Sequence, residues 1–302
     1  MYLEHFGLNE FPFGITPDTS FFFSSNQYQE ALNTLLIAAR TGEGFIKITG
    51  EVGTGKTLLC RKFMASLGPE FKIAYIPNPN LEPLALIMAL AEELGVDVTA
   101  HEGQHHLLKA LNLALIQYAA DDKRVLVCLD EAQAMPIDTM EALRLLTNLE
   151  TEKQKLLQVV IFGQPELDEK LNHESIRQLK QRITFDYTIG ALSRDELHYY
   201  LNHRLVVAGY QGGRLFSPRA LRLMRHKTNG IPRLVNVLAH KSLMAAYGKG
   251  KRIVGSAEVA SASQDTGATR GVSNKTLITA AVVVAAVVMV AAVLVMNGMV
   301  RI

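Results

Sequence analysis

The stretch Gly50-Glu51-Val52-Gly53-Thr54-Gly55-Lys56-Thr57, set directly behind the apolar run "GFIKIT" at 44–49, limits the possible folds more than any other feature. Glycines at 50, 53 and 55 let backbone N–H groups curl around phosphate oxygens, and a helix starting near Lys56 adds the positive end of its dipole. Lys56 can reach the outer phosphates and the Thr57 hydroxyl can reach a magnesium ion, so residues 50–58, through Leu58, form the expected nucleotide cradle. The required context is strand, loop, helix. That makes the chain an α/β protein, but it does not say what the nucleotide's energy is used for.

The rest of the chain supplies the context. After a helix at about 56–67, the runs "FKIAYI" (71–76), "RVLVCLD" (124–130), "LLQVVIFG" (156–163) and "RITFDYTI" (182–189) are further strands separated by helical stretches. Alternation of this kind predicts a mostly parallel sheet with helices on both faces. The opening segment, with Phe6, Phe11, Phe13 and Phe21 among Pro12, Gly14 and Pro17, reads as an ordered lead-in packed onto the body. From Ser193, where "SRDE" forms a capping box, to Gly248 everything reads as helix. The division expected is a nucleotide core over 1–190, a helical lid over 191–248, a flexible linker over 249–275, a membrane helix over 276–296 and a short tail over 297–302.

The linker assignment rests on the Ser, Gly, Ala and Thr of 249–275, and such a tether spans ~30 Å on average. The segment 276–296, "TLITAAVVVAAVVMVAAVLVM", is free of charge and long enough for one bilayer crossing. Lys249, Lys251, Arg252, Arg270 and Lys275 precede it while only Arg301 follows, which predicts that the large soluble part faces the cytoplasm. The N-terminus has no basic start followed by an apolar run, so no secretory signal is expected. Cys60 and Cys128 both sit in apolar sequence, which predicts neither a disulfide framework nor a cysteine metal site. A formal charge of +2 gives no general reason to expect a nucleic-acid partner.

Asp130 and Glu131 end a buried strand and would face the phosphates at its C-terminal edge. Asp130 is expected to hold magnesium through water, and Glu131 to orient and deprotonate the attacking water. Gln164 ends the neighbouring strand candidate, where its amide could touch the terminal phosphate or that water. Arg177 and Arg182 precede the last strand, a region able to reach the nucleotide of an adjacent subunit; spacing does not decide between them, and either could be a surface ion-pairing arginine. Arg233 in "GIPRLVN" could point across the domain junction toward the phosphates, despite the unfavourable dipole at a helix start.

The ordered motifs "MYLEHFGLNEFPFGITPD", "GEVGTGKT", "LDEAQ", "GQPEL", "LKQRI", "LFSPRALRL" and "GIPRLVN" resemble the ExeA/GspA family of membrane-bound AAA+ ATPases, most nearly its members that serve MSHA-type pili. The resemblance covers about 1–248 and the single span. It implies an AAA+ core with a helical lid, ATP and Mg2+ as ligands, a homo-oligomeric ring such as a hexamer with arginine fingers acting in trans, and a second inner-membrane pilus or secretion protein as partner. By this likeness Lys56 and Thr57 are Walker A residues, Asp130 and Glu131 Walker B, Gln164 the first sensor and Arg233 the second. Longer members continue past the membrane into a peptidoglycan-binding domain, whereas this sequence stops at Ile302, so contact with the wall would need another protein. Competing readings are a DNA-binding AAA+ protein of the transposition-helper or initiator type, a slowly cycling ATP-gated scaffold and, most weakly, a helicase. No motif reads the base, so ATP and GTP are not separated.

Overall fold

A computed structural model describes residues 2–97, 104–150 and 155–267. Its centre is a five-stranded, wholly parallel sheet of β1 (Phe45–Gly50), β2 (Phe71–Ile76), β3 (Arg124–Leu129), β4 (Leu157–Gly163) and β5 (Ile183–Ile189), in the order β2-β3-β4-β1-β5. All five strands coincide with the apolar runs of the sequence to within a residue or so at each end. β1 and β4, with every residue buried, read as continuous hydrophobic runs because helices cover both faces of the sheet.

Alternation along each strand divides the core in two. Phe45, Val125, Val127, Leu129, Val159 and Ile161 face α4 (Pro83–Glu93), α5 (Gln104–Ala120) and α6 (Ile137–Leu146). Ile46, Ile48, Leu126, Cys128, Val160 and Phe162 face α2 (Asn26–Thr41) and α3 (Lys56–Ala65). Two short helices, α7 (Glu166–Leu171) and α8 (Arg177–Lys180), lead from β4 to β5.

A third core belongs to the lid helices α9 (Arg194–Val207), α10 (Pro218–Thr228) and α11 (Pro232–Gly248). Ser193 caps α9 by accepting from the Glu196 N–H while Glu196 accepts from the Ser193 N–H, the capping box seen in the sequence. Two boundaries differ from the sequence reading. The N-terminal lead-in, with the short helix α1 (Tyr2–Phe6), packs mainly on the lid: Tyr2, Phe6, Leu8, Phe13 and Phe21 lie in the lid's core, the Tyr2 hydroxyl meets His240 Nδ1 of α11 at 2.8 Å, and Phe22 reaches the sheet-side core. Adjacency along the chain had assigned this segment to the unit that follows it, but its aromatic rings find their apolar partners two hundred residues away.

The expected linker over 249–275 is also corrected in its first half. Val254 bridges to Phe216, and residues Ser256–Gln264 form a helix, α12, that packs on α10 and α11. Its Ser and Ala residues resemble a tether in composition, yet Val259, Ala262 and Ser263 recur at helical spacing and are buried, their small size letting the helices approach closely. Among the described residues no helix is long and apolar enough to cross a membrane; the run at 276–296 lies outside them.

Candidate nucleotide site

The site forms where β1, β3 and β4 end. The backbone after β1 turns through Gly53 (φ +80°) and Gly55 (φ +96°), and Gly55 caps the start of α3. Only glycine fits the turn at two of its positions. A Cβ on Gly50 would lie 2.8 Å from the Ile189 carbonyl oxygen, and one on Gly53 would lie 2.6 Å from Cβ of Arg233. The Thr54 hydroxyl braces the loop from within by donating to the Glu51 carbonyl at 2.8 Å. Glu51 and Val52 stand exposed at the tip, and Leu58 lines the adjoining cleft.

Lys56 is buried, and its ammonium donates to the Gly50 and Glu51 carbonyls at 2.7 and 3.0 Å. Burial pushes it below the ordinary lysine range, against the pull of Glu131 and Asp130. The Thr57 hydroxyl donates to Asp130 Oδ2 at 2.6 Å. Burial raises the Asp130 carboxyl, outweighing the bonds from Thr57 and from the Glu131 N–H. A hydroxyl and a buried carboxylate in contact, beside a glycine cradle too tight for side chains, fit a phosphate-bound magnesium ion; Thr57 and Asp130 are the residues that would hold it.

Glu131 takes a left-handed backbone conformation (φ 54°), which turns its side chain off the strand direction. Its Oε2 accepts from Gln133 Nε2 at 2.6 Å and from Gln164 Nε2 at 2.9 Å. The side-chain Oε1 of Gln133 in turn accepts from the Gln164 backbone N–H at 3.0 Å, which closes a three-residue ring of hydrogen bonds between the ends of β3 and β4. Burial acts to raise the Glu131 carboxyl, but the two amide donors and Lys56 outweigh it and hold it below the usual glutamate range. Glu131 is therefore fixed as a charged acceptor. Gln164 lies on this carboxylate, a more specific placement than the strand end alone indicated. The role of Gln133 is not legible in "LDEAQ", because nothing in the sequence shows that its side chain folds back onto Glu131, two residues earlier.

Arg233 stands at the start of α11, where its backbone N–H donates to the Gly53 carbonyl at 3.1 Å and so ties the helix to the phosphate loop, while its side chain is exposed and lines the cleft. Arg177 and Arg182 are not brought into this site. Both lie on the approach to β5, whose start is the end of the sheet opposite the phosphate loop. Arg182 is half-buried and donates to Thr147 Oγ1 at 3.0 Å and to the Arg144 carbonyl at 3.3 Å. Arg177 is exposed and forms no ion pair or side-chain hydrogen bond among the described residues.

The cleft continues past the loop between the lead-in and the lid, lined by Thr16, Asp18, Phe22, Tyr28, Tyr200 and Asn236. Sequence reasoning missed this wall, since it is built from segments near residues 14–28 and 192–236. A buried guanidinium joins them. Arg204 of α9 donates to the Pro12 carbonyl at 2.5 Å and the Gly14 carbonyl at 3.3 Å, and lies 4.7 Å from the Phe21 ring centroid. Asn236 adds a bond to Gly14 at 3.2 Å and accepts from the Tyr200 hydroxyl at 2.8 Å.

Residues 39–171 match the family model described as AAA domain. Over 270 residues the chain is 39% identical to the general secretion pathway protein A of Aeromonas hydrophila, covering 89% of this chain and 49% of that protein. The parallel-sheet core is of the AAA type, and the chain is similar over most of its length to general secretion pathway protein A. The chain spans about half the length of that relative. Solved structures similar to the AAA core and lid include Cdc6p of Pyrobaculum aerophilum (TM-score 0.64, 21% identity, 86% of this chain and 73% of that one). The ORC1 protein of Aeropyrum pernix in complex with DNA is comparable (TM-score 0.60, 21% identity, 83% and 68%). At such identities the likeness is one of fold. The AAA family binds nucleotide, so the glycine cradle of this AAA core is a nucleotide site of the ATPase type.

Proposed function

We propose that the chain hydrolyses ATP as a membrane-anchored AAA+ ATPase assisting assembly of a pilus or secretion complex in a Gram-negative envelope, most nearly in the manner of the ATPases of MSHA pilus biogenesis. The observation that carries hydrolysis, beyond binding, is the Glu131 carboxylate held charged by Gln133 and Gln164 and adjacent to Asp130. In that position Glu131 accepts the proton of a water whose oxygen attacks the terminal phosphorus, while the bond to the bridging oxygen breaks. Lys56 neutralises charge on the outer phosphates. Magnesium, when bound, offsets the charge that develops on the phosphate oxygens.

The likeness to a secretion-pathway protein supports the envelope role, and the uncharged run at 276–296 supports anchoring at the inner membrane with the AAA core in the cytoplasm. In a ring, Arg177, exposed and at the end of the sheet away from its own phosphates, is the better placed of the two arginines to serve a neighbour's site. Arg233, bonded to the phosphate loop, would let the lid respond to hydrolysis. A partner that binds the two lid positions with different affinity then receives work from each cycle.

The test is Glu131→Gln in cells and in vitro. The variant should keep Mg-ATP bound, lose turnover and block assembly of the surface structure. Retained assembly would favour a nucleotide-gated scaffold. The fold likeness to a DNA-bound initiator supports a second reading, nucleic-acid binding, which salt-sensitive DNA binding by a chain that remains soluble in lysate would favour.

A further inference from the structure

The formal charge of +2 conceals two opposed regions. Residues 1–190 hold sixteen Lys and Arg against twenty-five Asp and Glu, whereas residues 191–302 hold fifteen against four. Between Glu196 and Glu258 there is no acidic residue at all. Much of this positive charge is unpaired. Lys249 and Lys251 are taken up by the buried Glu258 and Lys241 by Asp265, but Arg214, Arg219 and Arg222 are exposed and join no ion pair or side-chain hydrogen bond among the described residues. Arg219, Arg222 and His226 recur at i, i+3 and i+7 and so form one stripe on the outer face of α10, opposite the buried Ala220, Met224 and Thr228.

Covalent structure limits how far this stripe can lie from the uncharged run that follows. α10 packs directly on α12, and after Gly267, just beyond α12, only the eight residues 268–275 separate the lid from the uncharged run at 276–296. Even fully extended, that stretch reaches about 30 Å. We propose that the outer face of α10, through Arg214, Arg219 and Arg222, docks on the anionic headgroups of the membrane that the following segment enters. The inference rests on the membrane-anchored reading above. Phosphate headgroups attract an unpaired guanidinium stripe, while the acidic core is repelled by the same surface, so the charge asymmetry orients the molecule with its lid toward the bilayer and its nucleotide core away from it. A nucleic acid would suit the same cations, but nothing tethers it within their reach.

The test reconstitutes the full chain in nanodiscs of phosphatidylcholine alone or with a third of phosphatidylglycerol, and labels arginines with phenylglyoxal, read site by site by mass spectrometry. Labelling of Arg219 and Arg222, relative to the exposed Arg40 of the core, should fall at least about threefold on the anionic discs and recover in ~0.5 M salt, where the Debye length shrinks to a few ångströms. The double variant Arg219→Glu, Arg222→Glu should return Arg214 to its neutral-disc labelling. Equal labelling on both discs would overturn the docking face while leaving the anchor standing. A chain that enters neither disc overturns the anchor and this inference together. Protection of the same arginines by duplex DNA, without dependence on lipid charge, overturns it in favour of a nucleic-acid partner.

Discussion

The two walls of the nucleotide cleft are built in opposite ways. On the sheet side, Asp130, Glu131, Gln133 and Gln164 come from the ends of adjacent parallel strands and the turns that follow, Thr57 comes from the first turn of α3, and hydrogen bonds tie them together. On the lid side, one buried guanidinium, an asparagine and a few aromatic rings join segments separated by about two hundred residues. A sheet edge repositions its residues only if strands slip, which would break whole ladders of bonds. The lid side can shift by exchanging a handful of contacts. Under the proposed function, chemistry belongs to the rigid wall, and the part that responds to its outcome belongs to the other.

The largest expected effect tests the rigid wall. Glu131→Gln should lower kcat by roughly 10²–10⁴-fold with nucleotide affinity little changed, measured by steady-state turnover beside equilibrium binding. Loss of binding as well would mean that Glu131 shapes the cradle and does not act on water, and the division between the walls would fail. Next in size is the lid wall. Arg204→Ala takes away the donor of the Pro12 carbonyl, leaves the Gly14 carbonyl with Asn236 alone and uncovers Phe21, a loss of about 3 kcal/mol. It should appear as a fall in thermal midpoint with weaker nucleotide binding, but with the chemical step in single-turnover experiments nearly intact. A slowed chemical step would show that the walls are not independent.

Much of the rigid wall was legible in the sequence because a motif there is local. "GEVGTGKT" states its own turn, and "VLVCLDE" carries its carboxylates to the strand end simply by being a buried strand. The five apolar runs gave the sheet for the same reason. The lid wall was not legible, since no pattern in "FPFG" names Arg204 as its partner. α12 was obscured by composition: Ser and Ala serve a tether and a tightly packed helix equally, and only the burial of Val259 and Ala262 separates the two. Averaging likewise hid the basic lid behind an acidic core.

Gln164→Ala sharpens the comparison on a smaller scale. Gln164 holds Glu131 and is a positioning residue, so its loss should cost about 1.5 kcal/mol, roughly a tenfold fall in kcat with KM nearly unchanged. A rise in KM with unchanged kcat would instead place the amide on the nucleotide. Gln133→Ala should behave alike, and the double variant should cost less than the sum, because both amides serve one carboxylate and each other.

The smallest effect concerns α12, which extends the lid toward the proposed membrane contact. Glu258 is almost fully buried; it accepts from Lys251 at 2.8 Å, Lys249 at 3.3 Å and the Gly255 N–H at 3.0 Å, and these bonds hold it down to about 2 from an ordinary 4.5. A carboxyl whose folded value is depressed contributes stability that is fully present above its unfolded value and is lost as pH falls through the folded one. The contribution should therefore be complete at pH 7 and decline between about 4.5 and 2. Both lysines are half exposed, so solvent screening reduces it to about 1 kcal/mol. Comparing the thermal midpoints of the wild type and Glu258→Gln at pH 7 and pH 3 checks this: the gap between them should narrow at the lower pH. A gap of equal size at both would mean that Glu258 acts only by filling space, and that α12 is fastened to the lid by its apolar face alone.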